Sequence, residues 1–284
     1  MSENKRHKKG KITLYVVLRA LVIAVMIGQI FRGNYNNVFL CVLTLILFMI
    51  PVIVDRKLNI KLPTALETII LLFIYSAEIL GEIQNFYSVF AHWDTMLHTL
   101  NGFLMAAIGF AMIDILNQSP KIHINMSPVF VAFVAFCFSM TIGVLWEFFE
   151  FGMDTFFATD MQKDSMVQQI SSVFLNPTGQ NIPVVIPKIQ STVLNSADGQ
   201  IQTITGGYLD IGLADTMKDL IVNFIGAAVF SVIGLFYIKN RGKGGFAQSF
   251  IPQLKTKEEI EESRREWEDT AKPGKRRKKT DKKY

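Results

Sequence analysis

Cysteine is scarce in this sequence. Of the 284 residues only two are cysteine, Cys41 and Cys137. Two cysteines cannot form the disulfide framework that stabilises small secreted domains, so the sequence excludes that class of protein. Both lie inside long apolar stretches, where cysteine behaves as a small packing residue. They therefore carry no information about the redox compartment.

The sequence also lacks the short motifs of the common hydrolases and phosphate-binding proteins. It contains no H-E-x-x-H, no G-x-S-x-G, no glycine-rich phosphate loop and no signature of the PAP2 phosphatases. No recognised reaction follows from a motif alone, and any chemistry has to be argued from where the polar residues fall.

Charge is sparse as well. Charged residues make up 19% of the chain and hydrophobic residues 50%, with a mean hydropathy of +0.31, which is too apolar for a soluble domain. The apolar residues concentrate in stretches near 12–31, 37–54, 65–83, 96–116, 128–151 and 216–238. Each is close to the ~20 residues that a helix needs to cross a bilayer. The first is longer than a signal-peptide core and no A-x-A-like site follows it, so we expect it to be retained. The sequence predicts an all-α, polytopic membrane bundle of about six transmembrane helices.

The distribution of basic residues predicts the orientation of these helices. Of the 29 Lys and Arg residues, most lie before the first stretch, in the two loops after the second and fourth, and after the sixth. Arg19 lies within the first stretch. The opposite side holds Arg32, Lys163, Lys188 and Lys218. Because loops rich in Lys and Arg stay in the cytoplasm, we expect both termini there and one long extracytoplasmic loop over 154–215. The chain then divides into a basic N-terminus (1–11), a transmembrane domain (12–239) and a charged tail (240–284).

The tail and the long loop predict little chemistry of their own. The basic end of the tail, 272–284, is expected to touch anionic lipid rather than nucleic acid, because it follows a membrane domain. The preceding segment, EEIEESRREWED, is typical of a charged, solvated helix. In the loop, the runs at 184–186, 191–194 and 201–205 favour short strands, with Ser196 to Gly199 as a hairpin turn. The residues near 156–174 are consistent with an amphipathic segment on the membrane surface.

Polar residues recur at the predicted outer ends of four helices. In the fourth stretch, Asp94 and His98 are four residues apart and share a helix face. In the fifth and sixth stretches the corresponding stripes are formed by Glu147, Glu150 and Asp154 and by Asp215, Asp219 and Asn223. Glu78 and Glu82 end the third stretch in the same way. Gly102 continues the Asp94–His98 face and allows close helix contact. The sequence predicts one shared polar pocket that opens outward. The alternative is a set of solvated interfacial acids or a purely structural hydrogen-bond network.

These motifs, taken in order, resemble a known family. D-x3-H-x3-G at 94–102, G-x3-E-x2-E at 143–150 and D-x3-D-x3-N-x2-G at 215–226 resemble the VanZ-like proteins, and more closely the related DUF2238 proteins of bacterial inner membranes. The resemblance implies a small multi-helix protein of the bacterial cytoplasmic membrane with no settled chemistry. VanZ-like proteins commonly carry Gln where this chain has Glu150, which favours the DUF2238 side.

Several functions are compatible with such a pocket. It can bind a cation, a lipid headgroup or an envelope-related ligand without catalysis. Alternatively it can hold a divalent cation (Mg, Mn or Zn) and act as an enzyme on a lipid-linked or cell-envelope substrate. The predicted metal ligands are His98, Glu147, Glu150 and Asp219. Asp94 and Asp215 would then support the ligands or act as a general base, and Asp154 and Asn223 complete the polar pocket. A third possibility is a proton-coupled transporter.

Overall fold

The computed structural model describes residues 2–57, 59–117, 126–240 and 248–271. Long helices dominate this part of the chain, as predicted. The helices are α1 (Ser2–Phe31), α2 (Tyr35–Leu47), α3 (Ile50–Lys57), α4 (Thr64–Tyr75), a π-helix (Ser76–Ile83), α5 (Phe86–Val89), α6 (Trp93–Asn117), α7 (Pro128–Phe157), α8 (Leu213–Lys239) and α9 (Lys257–Ala271). A one-turn 3₁₀ helix, Val173–Leu175, lies between strands.

Among the described residues, six helical segments are long and apolar enough to cross a membrane, which confirms the predicted architecture. They are Gly10–Phe31, Tyr35–Lys57, Thr64–Ile83, Trp93–Leu116, Pro128–Phe157 and Leu213–Lys239. The fifth extends past the predicted end at residue 151 and stops at Ala158, whose φ of 51° is left-handed. The sixth begins after Gly212, which has a φ of 77°. The segment between them is therefore residues 158–212. We call the end of the bundle that carries it the loop-side end.

The second and third spans are not regular α-helices. The second breaks between α2 and α3, where Met49 N–H bonds to Ile46 O at 2.9 Å in a tightened turn. Pro51 follows at once, and proline has no N–H for the usual bond to the residue four positions earlier. The third span ends as a π-helix, in which Gln84 N–H reaches back five residues to Ile79 O at 3.0 Å. Such turns are rare and occur frequently at functional sites.

Glycines bring α6 and α8 into close contact. A Cβ built on Gly102 would lie 2.1 Å from Asn223 O, and one built on Gly226 would lie 2.0 Å from Thr99 O. The Ser139 hydroxyl of α7 donates to Gly102 O at 2.7 Å, so α7 contacts α6 at the same depth in the bundle. The expected role of Gly102 in close helix contact is confirmed. Farther from the loop-side end, α6, α7 and α8 pack around a buried core.

The segment 158–212 is built from short antiparallel pairs. β2 (Ser165–Val167) pairs with β7 (Tyr208–Asp210), β3 (Ile170–Ser172) with β4 (Val184–Ile186), and β5 (Ser191–Asn195) with β6 (Ile201–Thr205). The predicted strands and the hairpin turn are confirmed, with Gly199 N–H donating to Ser196 O at 3.0 Å. The region predicted to be an amphipathic surface segment contains β2 and β3. Its placement on a membrane stays a prediction.

The described part of the C-terminal tail packs on the bundle. β1 (Ile60–Lys61) pairs with β8 (Gln253–Leu254), and Ile251 is buried in the core of α6, α7 and α8. Lys255 Nζ lies 2.8 Å from Asp55 Oδ2. The helix that the sequence predicted to be solvated is therefore held to the membrane domain through its N-terminal end. The basic residues 272–284 lie outside the described residues.

The attachment of α9 is expected to depend on pH. Lys61 Nζ lies 2.6 Å from Glu259 Oε1, and the Thr256 N–H donates to the other carboxylate oxygen, which together lower the pKa of Glu259 from its ordinary value of 4.5. A lowered pKa stabilises the folded form above the unfolded pKa, and this contribution is lost as pH falls through the folded pKa. The measurement is the distance between one spectroscopic label placed on α9 and a second placed on β1. We expect this distance to increase as pH falls below about 4.5.

Glu259→Gln should leave this distance independent of pH in the same range. Glu258→Gln, on the same turn of α9, serves as the matched control and should keep the wild-type response. An identical acid response in all three proteins would contradict the assignment to Glu259.

Candidate functional site

An asparagine pair forms a polar contact between the glycine-packed helices α6 and α8. Asn101 Nδ2 of α6 donates to Asn223 Oδ1 of α8 at 3.1 Å. Asn223 is 1% exposed, and its own amide donates to Met140 Sδ of α7 at 3.5 Å. A Cβ on Gly143 would lie 2.7 Å from Asn223 Nδ2, so α7 too must approach closely. One buried amide thus contacts all three helices and fixes their relative register.

Three acidic side chains surround His98 one to two turns toward the loop-side end. Its Nε2 lies 3.4 Å from Asp94 Oδ1 and 3.9 Å from Asp219 Oδ2, and its Nδ1 lies 3.9 Å from Glu147 Oε1. We call Asp94, His98, Glu147 and Asp219 the acid–histidine cluster. One ligand atom each from Asp94, His98 and Asp219 lie within 4.8 Å of one another, a separation at which a single ion can contact all three.

Two oxygens of the acid–histidine cluster are buried without a hydrogen-bond partner. They are Glu147 Oε2 and Asp219 Oδ1, on residues that are 4% and 1% exposed. Buried polar atoms almost always have a partner, because an unsatisfied one costs about 1–3 kcal/mol. The cluster therefore has unused acceptor capacity at its centre.

Lys218 is the cation beside these carboxyl groups. Its Nζ lies 3.3 Å from Asp94 Oδ2, 3.6 Å from Asp215 Oδ1 and 3.9 Å from Asp219 Oδ1. Three carboxyl groups (Asp94, Asp215 and Asp219) thus share one ammonium group, and Glu147 adds a fourth carboxyl group beside His98. Acidic groups in such excess at a buried site need protons or a further cation for balance.

Glu150, the remaining predicted ligand, has a hydrogen bond within its own helix. Its Oε1 accepts a hydrogen bond from Trp146 Nε1, one turn earlier on α7, at 2.8 Å. Glu78, on the π-helix, is 5% exposed and lies on the same side of α6 as Trp146. Tyr87 packs its ring against Gly81, where a Cβ would lie 2.4 Å from the ring. Burial, reinforced by nearby carboxyl groups, raises the pKa of Tyr87 well above its ordinary value of 10, so its hydroxyl is a neutral donor.

The chain, with its six spans and ordered polar stripes, was compared with the models of known protein families. The model of the DUF2238 family of predicted membrane proteins matches residues 14–240. The chain belongs to the DUF2238 family. The match covers five of the six spans in full, the first from residue 14 onward, and the whole segment 158–212. Searches of curated proteins and of solved structures returned no match.

Two acidic residues predicted to line the pocket of this DUF2238 protein hold the segment 158–212 in place. Asp154 accepts hydrogen bonds from the Thr159 hydroxyl at 2.7 Å and from the backbone N–H of Met161 and Gln162 at 2.7 and 2.8 Å. Asp215 Oδ2 accepts from the Lys163 N–H at 2.8 Å. Both carboxylates therefore order the start of this segment over the acid–histidine cluster.

Asp154→Ala is expected to loosen that start. Losing three hydrogen bonds to a charged acceptor should remove about 3 kcal/mol of local stability, since each is worth roughly 1.5–3 kcal/mol and the three share one carboxylate. Hydrogen exchange at the Met161 and Gln162 amides should become at least tenfold faster. Asp160→Ala, at an exposed neighbouring carboxylate, is the control. Unchanged exchange in Asp154→Ala would contradict this role.

Sequence reasoning missed several residues that lie at the candidate site. Lys218 was counted only as an outside charge, although it follows Asp215 by one helical turn. Asn101 lies three residues after His98, a spacing that places it on the same face. Trp146 and Tyr87 carry no motif, and their contacts with Glu150 and Gly81 come from packing alone.

Proposed function

We propose that this DUF2238 protein binds a divalent cation at the acid–histidine cluster. The observation that carries the proposal is that ligand atoms of Asp94, His98 and Asp219 lie within 4.8 Å of one another, with Asp219 Oδ1 buried and without a hydrogen-bond partner. A cation there would satisfy that oxygen and compensate the excess of carboxyl groups in one step.

The donor set indicates the kind of ion. Carboxylate oxygens favour Mg²⁺ and Mn²⁺, and one imidazole also suits Mn²⁺ and Zn²⁺. In this proposal Asp94, His98 and Asp219 are the ligands, and Glu147 faces the other ring nitrogen of His98. Lys218 is 47% exposed at its side chain, so it can turn toward solvent as the ion enters. Glu150 accepts a hydrogen bond from Trp146 within α7 and is not among the ligands proposed here.

A metal-dependent enzyme is the second candidate, and Glu147 is the observation that favours it. Its Oε2 is buried without a partner, and its Oε1 lies 3.9 Å from His98 Nδ1. A carboxylate next to an ion can accept a proton from water that the ion polarises. This would support hydrolysis of a lipid-linked or cell-envelope substrate, with the same ligands.

The membrane placement is also part of the proposal. The excess of Lys and Arg in the loops opposite the loop-side end supports cytoplasmic termini, so the segment 158–212 and the acid–histidine cluster would face outward. The resemblance to VanZ-like proteins supports a bacterial cytoplasmic membrane. The basic residues 272–284 would then meet anionic lipid on the inner surface.

Thermal unfolding in detergent tests the proposal. At a hundredfold excess over its dissociation constant, an ion that binds only the folded state adds about 2.7 kcal/mol of stability. We expect an increase in Tm of several degrees with Mn²⁺, Mg²⁺ or Zn²⁺, and a smaller one with Ca²⁺, which prefers six to eight oxygen ligands. No change in Tm with any of these ions would refute cation binding.

A further inference from the structure

A separate cavity of about 380 Å³ lies next to the acid–histidine cluster. It is enclosed by α6 and α7 on one side and by α2, α3, α4 and the π-helix on the other. Its size is within the range of about 300–1,000 Å³ that is usual for ligand pockets. Almost the whole wall comes from predicted membrane spans, so the cavity lies at the depth of the bilayer.

The wall is polar at one end only. Glu78, Tyr87, His98, Asn101 and Trp146 are its polar or partly polar residues, and all lie toward the loop-side end. The remaining residues are apolar, and those farthest from that end are Leu47, Ile50, Ile70 and Ile108. His98 belongs both to this wall and to the acid–histidine cluster, so the two sites are adjacent.

The length of the cavity matches one leaflet of a bilayer. Along α6 its wall extends from Leu97 to Ile108, which is about 16 Å at 1.5 Å per residue. Half of a hydrocarbon core is about 15 Å thick. The polar end near the membrane surface and the apolar shaft together span this length, which fits an amphiphile that stands along the bilayer normal.

We propose that this cavity holds one hydrocarbon chain of a phosphate-bearing membrane lipid, whose phosphate is held by the cation at the acid–histidine cluster. This inference rests on the proposed cation site, since Glu78 and the cluster would repel a phosphate without the ion. Ions held by a few carboxylates commonly complete their shell with phosphate oxygens. The lipid is then the ligand, or the substrate, of the site.

Intact-complex mass spectrometry in mild detergent tests this. Two probes are added in the presence of Mn²⁺, a diacyl phosphatidylglycerol and a polyprenyl phosphate, because both carry a phosphate on a long chain. We expect one lipid bound per protein, and we expect it to stay bound when the gas-phase complex is collisionally activated. The probe that is retained better identifies which class of lipid the cavity holds. Ile108→Trp fills the apolar shaft and should reduce retention by about five- to a hundredfold, the range set by overpacking a cavity. Ile225→Trp, on the exposed face of α8, is the matched control and should retain lipid.

The outcomes separate the two proposals. Equal retention in Ile108→Trp and Ile225→Trp, with the Mn²⁺ effect on Tm intact, would overturn the cavity proposal alone. Retention that EDTA does not reduce would overturn the phosphate contact. No Mn²⁺ effect on Tm in any protein would refute the cation site itself. Ala77→Phe, which fills the polar end instead, gives the same test if Ile108→Trp does not fold.

Discussion

Asp219→Asn is expected to weaken Mn²⁺ binding by about a hundredfold or more, and without the ion to raise Tm. Removing an outer-shell partner of a metal ligand already costs 10–100-fold in affinity, and Asp219 is proposed as a ligand itself. Asparagine keeps the shape of the side chain, so the packing of α8 on α6 is preserved. It removes one of the three carboxyl groups around Lys218 Nζ, which relieves repulsion in the ion-free protein.

Two measurements on the same variants check this expectation. Mn²⁺ affinity is measured by electron paramagnetic resonance of the free ion, and Tm is measured with EDTA. Asp198→Asn, at an exposed turn of the segment 158–212, is the control and should change neither value. A lower Tm for Asp219→Asn in EDTA would show that the carboxylate stabilises the helices, and the acid–histidine cluster would then be a structural network.

Gly226→Ala is expected to destabilise the bundle by about 3 kcal/mol or more. The added methyl group would lie 2.0 Å from Thr99 O and 2.9 Å from Phe103 N, and neither backbone atom can rotate away. Overpacking that displaces only side chains costs about 1–3 kcal/mol, and here α6 and α8 must separate. Because Thr99 follows His98 directly, the separation should also disturb the acid–histidine cluster and lower Mn²⁺ affinity.

Gly152→Ala is the matched control for this substitution. Gly152 lies in α7, and a Cβ there meets no atom within 4 Å. Alanine favours a helix over glycine by about 1 kcal/mol, so Tm should stay the same or rise. Gly102→Ala, on the facing helix, should reproduce the loss seen for Gly226→Ala. Equal Tm values for Gly226→Ala and Gly152→Ala would show that the close contact of α6 and α8 is absent in the membrane.

The acid–histidine cluster shows which contacts the spacing of residues in the sequence can predict and which it cannot. The four-residue spacing of Asp94 and His98, and of Asp215 and Asp219, correctly placed these pairs on common helix faces. Spacing along one helix does not reveal which faces meet across helices. Spacing therefore did not reveal that Glu150 bonds to Trp146, or that Asp154 accepts hydrogen bonds from residues 159–162. The assignment of Glu150 as a ligand and of Asp154 to the pocket stays a prediction.

The sequence by itself determined the six spans, the membrane environment and the strands of the segment 158–212, because apolar length and turn residues are properties of local stretches. Only the tertiary structure decided which polar groups share a site, where Lys218 lies, and that a cavity adjoins His98. Those features depend on how closely helices cross, and the crossing is determined by Gly102 and Gly226 against the backbone of residues distant in sequence. The π-helix is also a feature that only the tertiary structure shows, since the ring of Tyr87 packs against its Gly81.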